Sequence, residues 1–307
     1  MPPSDQAASP NPKTPKPKRS LPWIVKALIW LVGTATAGML ALLLIIGVAL
    51  AMAYPNLPEI TALSDYRPKL PLRVFSAEGE LLAEYGEERR ELTPIAQIPQ
   101  VMIHAVLAAE DARFFEHGGV DYLGMVRAGL ANFGRAKSQG ASTISMQVAR
   151  NVYLSAEKTY TRKIYEVLLT FKLEHQLTKE QILEIYMNQI FLGHRAYGFA
   201  AAAQAYYGKP LKNISVDEAA MLAGLPKAPS AFNPISNPKR ARTRQLYIID
   251  RMLENGFIDA ETARTAKATP VRIRPAGSIQ RVRGDYAAEM VRQAVFEQYG
   301  DETYTRG

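Results

Sequence analysis

The stretch Pro99-Gln-Val-Met-Ile-His-Ala-Val-Leu-Ala-Ala-Glu110-Asp111-Ala-Arg113-Phe114-Phe115-Glu116-His117-Gly118 sets the kind of core this chain builds. Proline suits a first helical position, and the run from Val101 to Ala109 reads as an apolar helix. That helix ends abruptly in two adjacent carboxylates. Such groups beside an apolar run are costly unless they are used or paired. The end of a helix is also its negative pole, which raises the pKa of a carboxyl placed there. A general acid or base working near neutrality needs such a shift. Solvation at the helix end, with Arg113 neutralising one carboxylate, accounts for the same pattern, and spacing alone leaves both readings open.

Working outward, helical patterns recur at 121–133, 142–151, 160–174, 179–192, 197–206, 216–224, 238–254 and 285–298. Thr178 with Gln181 has the spacing of a capping box, Asn237-Pro238 supplies an N-cap and a first turn, and Gly256 is a stop signal. Residues 71–86 read as a hairpin, Leu72–Phe75 and Leu81–Tyr85 about a turn at Ala77–Gly79. Residues 268–284, with Pro270, Pro275 and Gly277, read as a connector. The class is mainly α with one small hairpin.

With 307 residues the chain is near the upper limit for a single core. The absence of cysteine excludes a disulfide framework and thiolate metal sites, and four histidines without a His-Glu-x-x-His pattern exclude an ordinary zinc hydrolase. A net charge of +8 favours anionic partners. Residues 1–20 carry Lys13, Lys16, Lys18 and Arg19 against Asp5 in a proline- and serine-rich context that cannot bury a core. From Ala27 to Tyr54 no charge occurs. As a helix this segment is about 42 Å long, against roughly 30 Å of bilayer hydrocarbon. Trp23, Trp30 and Tyr54 suit the two interfaces. A cleaved signal peptide is the rival reading, but its apolar region usually runs only about 7–15 residues. The positive-inside rule puts the tail in the cytoplasm and the remainder outside, which removes nucleic acid as a partner.

Further constellations follow. In Gly140-Ala-Ser142-Thr143-Ile-Ser145-Met-Gln147-Val-Ala-Arg150-Asn151, Ser142 is placed to cap a helix whose exposed N–H groups would hold an anion. Thr143, Gln147, Arg150 and Asn151 form one polar stripe, suited equally to a phosphate-lined wall and to a solvated face. Arg162-Lys163-Ile-Tyr-Glu166 shares one helix face, and a surface ion-pair cluster worth about 0.3–0.5 kcal/mol per pair explains it as well. Glu184-Ile-Tyr186-Met-Asn188, continuing through alanine-rich sequence to Gly208, reads mainly as scaffold. The proline-punctuated stretch Leu222–Pro234 precedes the basic run Lys239, Arg240, Arg242 and Arg244, and fits a cleft wall or a buttress. Tyr122, Leu123, Met125, Val126, Leu130 and Phe133, with Arg127 and Arg135, fit an interfacial helix or a buried face.

The order Glu110-Asp111…Phe114…His117, Gly140-x-Ser142-Thr143…Gln147…Asn151, Arg162-Lys163…Glu166 and Glu184…Tyr186…Asn188 resembles the glycosyltransferase family 51 domain of class A penicillin-binding proteins. The resemblance runs from about Leu72 to Ala266, with one departure: Arg150 stands where the family commonly has lysine, a planar fork instead of a point charge. It implies a lysozyme-like, mainly helical fold that polymerises lipid II into β-1,4 glycan strands with inversion. It assigns Glu110 as the catalytic base and Glu166 as a second catalytic carboxylate that orients cations or a divalent metal, magnesium or manganese, with no cofactor strictly required. It groups Asp111, Phe114, His117, Ser142, Thr143, Gln147, Arg150, Asn151, Arg162 and Lys163 as substrate- and pyrophosphate-binding. Within that group Asp111 and His117 would position Glu110, and Phe114 would lock its loop. Implied partners are lipid II and the growing strand, the membrane, and wall-synthesis proteins or activators.

The resulting organisation is a cytoplasmic tail 1–20, a transmembrane helix 21–54, a hairpin connector 55–96, a glycosyltransferase domain 97–266 and a linker 267–307. Ser155-Ala-Glu-Lys158 matches Ser-x-x-Lys, but neither Ser-x-Asn nor Lys-Thr-Gly follows. The chain therefore reads as cut short before a transpeptidase domain. A lytic muramidase-type enzyme on the same fold and a non-catalytic membrane scaffold are the competing functions.

Overall fold

A long apolar helix and a separate helical body follow from the two kinds of apolar pattern, one continuous and one periodic. The computed structural model describes residues 22–57, 71–79, 81–86, 88–126, 142–153, 160–274 and 285–304. The basic tail, Gly140, Arg127 to Arg135 and Ser155 to Lys158 lie outside the described residues.

The first unit ends at Pro55. Helix α1 (Trp23–Ala53) lies within the span 21–54 expected from the charge-free run. Its segment Trp23–Ile45 is long and apolar enough to cross a membrane. The hydroxyls of Thr34 and Thr36 each donate at 2.8 Å to a carbonyl one turn back, on Trp30 and Val32, so neither needs water.

The second unit holds the remaining elements. Their order is β1 (Leu72–Phe75), β2 (Leu81–Tyr85), β3 (Arg89–Arg90), α2 (Gln100–Glu110), α3 (Ile144–Tyr153), α4 (Tyr160–Gln176), α5 (Lys179–Gln189), β4 (Ala196–Tyr197), α6 (Phe199–Tyr207), α7 (Val216–Ala223), α8 (Pro238–Glu254), α9 (Ala260–Ala268) and α10 (Asp285–Tyr299). Helix α2 is the central one. Met102, Ala105 and Val106 are fully buried where it packs on α7 and α8. Helix α3 packs on α4 and α5. In α6, Ala200 to Ala203 are buried, and such small side chains let neighbouring helices approach closely.

Local signals set most boundaries. The Thr178–Gln181 capping box is formed, and Asn237 and Pro238 open α8. Gly256, at φ +71, closes that helix: its N–H bonds Leu253 O, and Phe257 N–H bonds Met252 O. Pro99 lies just outside α2 as its N-cap, because its ψ of 141° is extended, not helical. Helix α9 was not anticipated. Asp259 caps it by accepting from Thr262 N–H at 2.7 Å, and only alanines, Ala263 and Ala266, are buried on it.

Strands β1 and β2 pair antiparallel with a bulge at Val74/Phe75, and β3 pairs parallel with β4. Residues 55–96 and 267–307 were expected to be connectors, yet parts of both meet. Ala288 of α10 is buried against Leu72 and Val74, with Leu82, Tyr85 and Val295 around them. A two-stranded hairpin cannot cover its own apolar face, so a helix supplies the cover.

Candidate active site

The last residue of α2, Glu110, carries a buried carboxylate whose pKa is raised. The Glu110 side chain is 13% exposed. Its Oε2 accepts from Gln147 Nε2 of α3 at 2.9 Å. Its Oε1 is buried without a hydrogen-bond partner among the described residues and faces Arg244 Nη2 of α8 at 3.9 Å. Burial pushes the Glu110 carboxyl above its ordinary value; the Gln147 hydrogen bond and the charges of Arg244, Lys227 and Arg150 offset only part of that. This side chain is neither solvated nor neutralised by Arg113, which pairs instead with Asp121.

Asp111, one residue further, does a different job. Its backbone leaves the helix at φ −160 and ψ 78, turning its carboxylate away from the path of α2. Both its oxygens lie 3.1 Å from His117 Nε2, and Oδ2 also accepts from Ile144 N–H at 3.1 Å. Ile144 is the first residue of α3, so a buried carboxylate already occupies the positive pole expected to hold a substrate anion. Thr143, not Ser142, caps that helix: its Oγ1 accepts from Met146 N–H at 3.2 Å and donates to Gly119 O at 2.5 Å. The cap moves by one residue because the hydroxyl needs a carbonyl to receive its proton, and Gly119 provides one. Gly119 holds φ +91, and a Cβ there would lie 2.7 Å from Thr170 Cγ2. Phe114 is fully buried, with Lys179 Nζ 4.4 Å above its ring and Phe115 and His117 edge-on.

The other sequence-derived residues fall into two groups. Gln147 bonds Glu110 and the charge of Arg150 acts on it, while Asn151 is exposed and Ser142 half-buried. On α4, Lys163 Nζ bonds Glu166 Oε1 at 2.7 Å. Glu166 is buried and Lys163 half-exposed, with Arg162 next to it. As a divalent-cation site Glu166 fits poorly: it offers one carboxylate already bonded to an ammonium. Among the described residues no three His, Asp or Glu side chains cluster.

Three residues near Glu110 escaped the sequence reading. Arg244 was visible only as a member of a basic run, and Lys227 only within the proline-punctuated stretch Leu222–Pro234. Tyr186 was taken as scaffold, yet its hydroxyl is buried with no partner among the described residues. Burial, and then the charge of Glu110, push this phenol well above its ordinary value. By contrast Glu184 and Asn188 are scaffold. Glu184 Oε2 accepts from Ile95 N–H at 2.7 Å, and Asn188 bonds Thr93 at both its N–H and its carbonyl, tying down the entry to α2.

Residues 78–253, which include the buried Glu110 and the cations around it, match the Transglycosylase family, to which this chain belongs. Among its relatives, penicillin-binding protein 1A of Neisseria meningitidis serogroup A is 49% identical over 86% of this chain and 33% of its own length. The protein of that name from Pseudomonas aeruginosa is 45% identical over 92% of this chain and 34% of its own. A crystal structure of penicillin-binding protein 1A from Haemophilus influenzae aligns at a TM-score of 0.45 with 30% identity, over 78% of this chain and 26% of that one. The chain spans about a third of the length of the curated relatives it matches.

Proposed function

We propose that this chain is a peptidoglycan glycosyltransferase that polymerises lipid II into β-1,4 glycan strands for the cell wall. Glu110 takes the proton of the acceptor sugar's 4-hydroxyl. That oxygen attacks the anomeric carbon of the growing strand, and the bond to the diphosphate breaks as the new glycosidic bond forms. Undecaprenyl pyrophosphate leaves, and configuration inverts from α to β. Arg150, Arg162 and Lys163 supply charge for the departing diphosphate, with Ser142 and Asn151 as polar contacts. Asp111, His117 and Phe114 keep the loop after Glu110 in place.

The observation that carries this reading is the state of Glu110: buried, raised in proton affinity, and with one oxygen left for a proton. The apolar α1 fits an anchor in the inner membrane, where a lipid-linked substrate resides. Lysines and arginine in residues 1–20 favour a cytoplasmic N-terminus and a catalytic domain outside.

Incubation of the membrane-anchored protein with lipid II tests the reading. The wild type should make long strands and release undecaprenyl pyrophosphate, and Glu110→Gln should make neither. A lytic enzyme would leave lipid II intact and cut preformed glycan, and polymerisation by Glu110→Gln would remove Glu110 from the chemistry.

A further inference from the structure

We propose that Arg244 of α8 is the positioning residue for the base, holding the otherwise unbonded oxygen of Glu110 and keeping that carboxylate ionised between turnovers. This rests on Glu110 being the base. Arg244 is itself nearly buried, its side chain 10% exposed, with Nη2 3.9 Å from Glu110 Oε1. Its guanidinium lies 4.9 Å over the Tyr247 ring, which fixes the plane of the fork. Its Nε is buried with no hydrogen-bond partner among the described residues. Room for its stem is built in. Gly224 faces Arg244 Cγ, and a Cβ there would sit 2.9 Å from it.

Cations from three separate segments act on Glu110. Arg150 comes from α3, Lys227 from the loop after α7 and Arg244 from α8, while the Tyr186 phenol of α5 lies in the field of Glu110 in turn. Of the three cations, Arg244 acts most strongly on Glu110. At 3.9 Å an opposite charge favours the ionised carboxylate. Removing it leaves a buried carboxylate with less compensation, so its proton is held more tightly. The distance also suits the cycle. Once Glu110 is protonated its pull on Arg244 lapses, while the Gln147 bond to Oε2 keeps the carboxyl in place.

The test is the pH dependence of lipid II polymerisation by the anchored protein, for the wild type, Arg244→Gln, Arg244→Lys and Glu110→Gln. Arg244→Gln should move the acidic limb of kcat/KM upward by about one pH unit, so that its loss is greatest below neutrality and shrinks at alkaline pH. Arg244→Lys, which keeps the charge, should restore most of that shift. A role in packing alone would lower activity equally at every pH, and a role in binding substrate would raise KM with the limb unmoved; either result overturns the proposal. Should Arg244→Gln fail to fold, Gly224→Ala carries the test by displacing the guanidinium without removing it. The same upward shift is expected, and an unmoved limb refutes the proposal. Glu110→Gln separates the two ideas. If it is inactive at every pH while the Arg244 variants keep the wild-type limb, only Arg244 loses its role; if it polymerises, the base assignment itself falls.

Discussion

Glu110 sits between two opposed effects, burial that favours its neutral form and Gln147, Arg244, Lys227 and Arg150 that favour its charged form, and burial prevails. The consequence for stability has a definite sign. A carboxyl whose folded pKa lies above its unfolded value of 4.5 stabilises the fold fully below that value, and the contribution fades as pH rises through the folded pKa. At neutral pH an ionised Glu110 therefore weighs against folding. Glu110→Gln should melt higher than the wild type at neutral pH, with the advantage vanishing below about 4.5, as differential scanning calorimetry at several pH values would show. The Gln147 hydrogen bond works the other way. Bonds to charged acceptors are worth about 1.5–3 kcal/mol, so Gln147→Ala should reduce polymerisation at neutral pH by at least about tenfold, measured by initial rates on lipid II.

At the scale of elements, Asp111 ties the end of α2 to the start of α3. One carboxylate closes the end of α2, binds His117 and fills the positive pole of α3. Removing this acceptor leaves His117 Nε2 and the buried Ile144 N–H without it, which costs about 1–3 kcal/mol, so Asp111→Ala should lose about that much in urea denaturation of the detergent-solubilised protein. Thr143→Ala removes a cap and should cost about 1 kcal/mol by the same measurement. Loss of activity in either variant should follow loss of fold, with the pH profile of the remaining folded enzyme unchanged. The sequence pattern showed that two carboxylates end an apolar helix, but not that they part company. Their separation depends on a backbone that turns out of the helix at Asp111 and on an amide at Ile144 brought there by packing.

For the molecule as a whole, the main core and the small hairpin core are distinct cooperative candidates. The second rests on few residues, with Ala288 at its centre. Ala288→Asp should place a charge there, release residues 285–304 and expose the hairpin to rapid hydrogen exchange, while amides of α2 and α7 keep their protection. Mass-resolved exchange reads both regions at once. The mainly helical class, the boundaries of most helices and the membrane-length apolar span were legible in the chain, because periodicity, caps and charge-free length are local properties, whereas the carboxylates closing an apolar run left two readings open. Helix α9 was missed because an alanine-rich segment has too little apolar contrast to show a face. What the tertiary structure alone decided is which groups meet. It chose Arg244 from a run of four cations as the one facing Glu110, left the Tyr186 hydroxyl buried beside them, and filled the α3 pole with Asp111. Those outcomes depend on how distant segments pack, and packing distance is not encoded in the spacing of any one segment.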